Sequence, residues 1–205
     1  LYPASRNRKL ESGPTAYIRW SPDGLYLAYR IPSPKVHLPT DADPWQGDAT
    51  EVMIDMVNSR RDDMYQNPDA QKITLTPFGV KEDPSARVFE MGRGLRGLRM
   101  TKSYQDTEGV KGTAAARVAD DHYTVEGFID RRALASPRLM PGNYIGFNLS
   151  INRGGGVEHM QWSASKEIST WRKPDTWGDL LLLGSDASLA FPESGGSEKE
   201  ADGFV

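Results

Sequence analysis

Between Thr15 and Ile31 apolar and polar residues alternate with a period of two, broken once by Ser21-Pro22-Asp23-Gly24. Ile18 and Trp20 fall on one side of the first run, with Tyr17 and Arg19 on the other. After the break, Leu25, Leu27, Tyr29 and Ile31 alternate with Tyr26, Ala28 and Arg30. Period two is the side-chain repeat of a strand, and Pro-Asp-Gly is turn chemistry: proline presets φ and glycine is expected to supply a positive one. The two runs predict a β-hairpin. The signature recurs along the chain. Val52, Ile54 and Met56 oppose Glu51, Met53 and Asp55, and Ile73 and Leu75 precede Pro77-Phe78-Gly79. Ala114–Val118 and Tyr123–Ile129 flank Asp120-Asp121 as a second hairpin. Ile145, Phe147, Leu149 and Ile151 oppose Asn148, Ser150 and Asn152. Gly154-Gly155-Gly156 then turns the chain into 157–162, and Leu180–Leu183 closes the series. Residues 86–91 and 98–104 read as extended, 58–71 as a charged loop, and 130–135 as one helical turn.

Nine to eleven short strands, spaced by turn signals and joined by at most one short helix, predict an all-β chain folded as an antiparallel, jelly-roll-like β-sandwich. The 14 prolines and 20 glycines among 205 residues supply the turns. Residues 1–14 are polar and basic without a period and read as a loose arm. The sandwich is expected over 15–184. Residues 185–205, rich in glycine, serine and glutamate, read as a flexible acidic tail or linker.

Several function classes find no support. Lys plus Arg number 25 against 28 Asp plus Glu, a net charge of −3, so no global field draws the chain to nucleic acid or anionic lipid. No run of 18 apolar residues predicts membrane insertion. The absence of cysteine removes disulfides, thiolate metal sites and cysteine nucleophiles. The start at Leu1 rather than Met fits a chain whose leader or upstream segment has been removed. His37, His122 and His159 match no zinc spacing, and residues 41–48 and 62–63 do not fit an EF-hand loop. Gly92-Arg93-Gly94-Leu95-Arg96-Gly97 spells a dinucleotide fingerprint but leads into an extended basic stretch rather than a helix. No nucleophile elbow is present. Glu51 and Glu126 would serve a glycosidase only side by side across one cleft. No enzyme is expected.

The five tryptophans carry more information. Trp20 lies in a strand and reads as core, and Trp177 as a plug at one end of the sandwich. Trp45 and Trp171 lie in loops, within Asp43-Pro44-Trp45-Gln46-Gly47 and Ser169-Thr170-Trp171-Arg172-Lys173-Pro174. An indole in a loop either folds inward or offers a flat apolar platform. A sugar ring pairs an apolar C–H face with a rim of hydroxyls, so platforms edged by amides and carboxylates are its natural receptor. Glu51 and Asn148 are the candidate rim partners.

Five segments, in order, resemble family 9 carbohydrate-binding modules. They are Trp20 through Tyr29, Trp45 through Asp55, Tyr123 through Ile129, Gly142 through Asn152, and Trp177-Gly178-Asp179-Leu180. The resemblance spans about residues 15–184. It implies a β-sandwich that binds oligo- or polysaccharide, in an exported or cell-surface accessory domain of a larger multidomain protein that recognises or degrades polysaccharide. It also implies structural calcium and two tryptophans that clamp a sugar. On that basis Trp45 is one clamp face, Glu51 a hydroxyl acceptor and Trp171 the second face, with Trp162 behind it and Asn148 nearby. The chain departs from the family where Ile-Asp-Gly would precede Tyr17, and where Asn152-Arg153 replaces Asn-Asp. Two other readings stay open: a structural or interaction sandwich without a ligand site, and a haem-binding relative using Met91, Met100, Met160 or His159 as axial ligands.

Overall fold

The computed structural model describes residues 2–3, 13–33, 35–37, 47–76, 87–93, 112–135, 139–155, 158–163 and 170–184. Within them the chain forms eleven strands: β1 (Tyr2–Pro3), β2 (Thr15–Ser21), β3 (Gly24–Pro32), β4 (Ala49–Asp55), β5 (Ala70–Thr76), β6 (Arg87–Arg93), β7 (Gly112–Val118), β8 (His122–Asp130), β9 (Tyr144–Arg153), β10 (Glu158–Gln161) and β11 (Gly178–Leu181). All pairings are antiparallel. A seven-stranded sheet runs β1-β10-β9-β4-β5-β6, with β11 also on β9, and a four-stranded sheet runs β2-β3-β8-β7. The helical content of the described residues is limited to single 3-10 turns, one of them Arg131–Ala133 where a helical turn was expected. None is long and apolar enough to cross a membrane. The sandwich is as predicted. At the chain start, however, Tyr2 and Pro3 pair with Gln161 and Met160, so these two residues of the supposed arm belong to the sheet. Residues 98–104 and the tail 185–205 lie outside the described residues.

Period-two patterning builds the core directly. Leu25, Leu27, Tyr29 and Ile31 from one sheet meet Val52, Ile54, Ile73, Leu75, Phe147, Leu149 and Ile151 from the other, and all are buried. The first hairpin turns through Pro22-Asp23, where the Asp23 N–H donates to Ser21 Oγ at 3.1 Å. The glycine beside the turn acts differently from expectation. Gly24 has no positive φ. It is needed for space, because a Cβ there would lie 2.1 Å from the Ile129 carbonyl oxygen and 2.7 Å from the Phe128 ring. Positive φ is instead used at Gly154 and Gly155, which turn β9 into β10. Trp20 closes the sandwich by donating its Nε1–H to the Leu183 carbonyl, 2.9 Å away.

Strand β9 organises the larger sheet. Its residues Gly146–Asn152 pair with β4; on its other edge β11 covers Tyr144–Phe147 and β10 covers Ser150–Arg153. Beyond β4 the chain loops through 57–69 around Asp55. Asn58 and Arg60 both take positive φ there. Both reach Asp179 on β11: Asn58 Nδ2 at 2.7 Å and Arg60 Nη2 at 2.5 Å. These two donors, the Asn58 amide first, hold the Asp179 carboxyl below the ordinary carboxylate range. A depressed carboxyl adds stability that is present above its unfolded pKa and lost as pH falls through the folded one. Asp179 is half exposed, so the stabilisation is under about 1 kcal/mol. Asp179→Asn is therefore expected to unfold at slightly lower urea than the parent at neutral pH. That gap should narrow as pH falls below the unfolded carboxyl's pKa of about 3.9 and vanish below the lowered folded one; a gap that stays constant through that fall would contradict the assignment.

Candidate functional site

The two outward faces of the sandwich differ. At the centre of the seven-stranded sheet, most side chains pointing away from the core are polar yet buried. Glu51 on β4 stands beside Thr74 on β5 and Ser150 on β9, and Ser150 stands beside Gln161 on β10. In the parallel row, Met53 lies between Lys72 and Asn148. Glu51 is 6 % exposed and Lys72 5 %, while Thr74 and Asn148 are fully buried. Charged groups are almost never hidden in this way unless paired. Here they are: Lys72 Nζ donates to Glu51 Oε1 at 2.5 Å.

Trp171 completes the group. It sits in the 3-10 turn Thr170–Arg172, half-buried, with Lys72 Nζ 5.0 Å from its ring centroid. Beneath it lies a small apolar cluster of Met53, Met64, Ala70 and Trp177. Trp177 therefore does not plug the space between the sheets. It packs on the outward side of the larger sheet because Met53 and Ala70 offer an apolar patch there. The loop after β4 fixes this segment. The Arg61 carbonyl accepts the Asp175 N–H at 3.2 Å, Arg172 Nη2 stands 3.6 Å from Asp63 Oδ2, and Met64 supplies the floor. The loop is itself pinned by Asp55, whose carboxylate accepts from Val57 N–H (3.2 Å), Ser59 N–H (2.9 Å), Ser59 Oγ–H (2.9 Å) and Asn67 Nδ2 (3.0 Å).

Of the residues expected to bind sugar, Glu51 and Trp171 are thus joined through Lys72. Asn148 lies one row along, with its side-chain carbonyl committed to the Leu149 and Ser163 N–H groups at 2.8 and 3.0 Å. It bridges the gap between β10 and β11, and its Nδ2 is buried without a partner. Trp162 is elsewhere. Its ring meets Phe147 edge-on at 5.7 Å and packs against the core between the sheets rather than behind Trp171. A Cβ on Gly178 would strike that ring at 2.6 Å, which explains the glycine. Trp45 lies outside the described residues. Three residues further on, Asp48 is buried; burial raises its carboxyl above the ordinary range, although the Gly155 N–H and the His37 backbone oppose the shift.

Among the described residues, neither the glycosidase nor the haem reading finds its geometry. Glu51 and Glu126 point outward from different sheets, so they cannot flank one glycosidic bond. His159 and Met160 are successive residues of β10; Met160 is core, whereas His159 faces outward and meets Asn152 Oδ1 at 2.6 Å, so they cannot share one haem. Met100 and the side chain of Met91 lie outside the described residues. Calcium needs six to eight oxygen ligands. Among the described residues no group of three or more His, Asp or Glu side chains could hold a metal ion.

Residues 6–185 match the family model described as "Carbohydrate family 9 binding domain-like". The chain belongs to that family. It is similar to the solved structure of a carbohydrate binding module family 9 from Caldicellulosiruptor kristjanssonii in complex with cellotriose. That pair shares 16 % identity at a TM-score of 0.61, over 89 % of this chain and 82 % of that one. The structure of such a module from the same organism in complex with glucose gives 16 % identity and a TM-score of 0.62, over 89 % and 83 % of the two chains. At this identity the likeness is one of fold. No curated protein matches the chain. In this family 9 domain the residue that sequence reasoning missed is Lys72. Only its register, two strands from Asn148 and beside the Glu51 row, places it in the group.

Proposed function

We propose that this family 9 domain is a non-catalytic glycan-binding module. Its binding face is the outward side of the seven-stranded sheet around Glu51, Lys72 and Trp171, with Trp45 as the second ring. The observation that carries the reading is the buried Glu51–Lys72 pair set against the half-buried face of Trp171. The indole takes the apolar C–H face of a sugar, Glu51 accepts from one hydroxyl and Lys72 donates to its neighbour. Because the pair is already desolvated and held, little ordering cost falls on binding. Asn148 positions residues 162–163 beside the site, and Trp162 supports them from the core. The protein would act as an accessory to polysaccharide recognition or degradation, exported or at the cell surface.

The solved relatives hold cellotriose and glucose, which makes glucose-based oligosaccharides the first class to test. A small wet ligand with few apolar contacts should bind with a Kd between about 1 mM and about 1 μM. Titration of intrinsic tryptophan fluorescence with cello- and xylo-oligosaccharides should give a saturable change for at least one of them. No response to any of these sugars would overturn the proposal.

A further inference from the structure

Among the described residues, the outward face of the four-stranded sheet is aromatic and uncovered. One row across it is Arg19, Tyr26, Phe128 and Thr113; the next is Tyr17, Ala28, Glu126 and Ala115. Tyr17 is 57 % exposed and Tyr26 42 %, and the Tyr26 and Phe128 rings lie 4.8 Å apart, tilted by 38°. The alanines leave a groove of about 560 Å³ beside the rings. Among the described residues it crosses four strands, from edge strand to edge strand, runs roughly 14 Å and has nothing closing either end. Exposed rings clustered on one sheet face mark a binding surface.

The chemistry of the face selects the occupant. The centre of a protein–protein interface is depleted of charge, and glutamate especially is rare there. Glu126 projects from the middle of this groove, exposed and without an ion pair among the described residues. A docked protein would have to bury that charge against a matching cation, at a desolvation cost. A neutral sugar chain would satisfy it, because hydroxyls donate to Glu126 and accept from Arg19 while the C–H faces lie on Tyr17, Tyr26 and Phe128. We propose that this face is a second glycan site, taking an internal stretch of a neutral, unbranched polysaccharide laid across the strands. The site around Trp171 is separate, on the opposite side of the sandwich. The inference rests on the reading of the protein as a glycan binder.

The test is an amide NMR titration of the isotope-labelled protein with cellohexaose, xylohexaose and mannohexaose. At least one hexasaccharide should shift the amides of Ala28, Ala115 and Glu126 saturably, and Trp171→Ala should leave those shifts in place. Tyr26→Ala should weaken them at least tenfold. Tyr26 also packs on Phe128, so Glu126→Gln serves as a second variant and should weaken binding at this face severalfold without moving Tm. If the hexasaccharides move only amides around Glu51 and Trp171, the second site is overturned and the glycan reading stands. If they move only Ala28, Ala115 and Glu126, the second site stands and the Trp171 site falls. Shifts at Ala28 that depend on protein concentration instead of sugar would overturn it in favour of self-association. Silence with all three probes overturns both readings.

Discussion

Lys72→Met is expected to lower folding stability by about 3–5 kcal/mol and to abolish saccharide binding. The lysine is the cationic half of a buried pair, and its removal leaves the Glu51 carboxylate desolvated and uncompensated. The double variant Glu51→Leu/Lys72→Met should behave differently. An apolar pair of similar volume often equals or exceeds a buried ion pair in stability, because the desolvation cost disappears with the charges. The double variant should therefore recover to within about 1 kcal/mol of the parent, yet still fail to bind sugar. Urea unfolding of the three proteins, with fluorescence titration of each, separates the two effects. A single variant as stable as the parent would show that Glu51 is not stranded by the loss of Lys72.

Asp55→Ala should cost about 3 kcal/mol or more, since four donors lose one buried acceptor together. The effect should reach the site. The loop that Asp55 organises carries Arg61, Asp63 and Met64, the residues that hold the turn bearing Trp171. Weaker binding is therefore expected alongside the stability loss, whereas Asp179→Asn should leave affinity unchanged. Urea unfolding and sugar titration of both variants check this; a stability loss below about 1 kcal/mol for Asp55→Ala would contradict the network.

These two residues also show what a sequence can and cannot reveal here. The strands and the core were legible because alternation is a local property: Leu25 to Ile31 and Ile145 to Ile151 face one way by period alone, and the structure buries them. Trp20-Ser21-Pro22-Asp23-Gly24 and Gly154-Gly155 marked turns for the same reason. What local pattern cannot report is which outward face becomes covered. Lys72 reads as a solvated strand residue, and only the segment 170–177, a hundred residues away, makes it a buried partner of Glu51. The Glu51–Ser150–Gln161 row exists only through long-range register. Gly24 shows a subtler limit: its turn context suggested a φ requirement, whereas the constraint comes from Ile129 and Phe128 across the sheet. Trp177 shows another, since hydrophobicity predicts burial without saying on which side of a sheet.

If a sugar ring rests on the outward face around Glu51, Lys72 and Trp171, the Trp171 indole must sense it. The most direct measurement follows the five tryptophan indole N–H signals during titration with cellotriose and cellohexaose, with the Trp171 signal assigned through Trp171→Phe. The Trp171 indole should shift saturably with at least one of them, while that of Trp20, bonded to the Leu183 carbonyl and packed on the core between the sheets, stays in place. A Trp171 indole that stays unmoved while the protein binds either sugar would contradict a sugar site on that face.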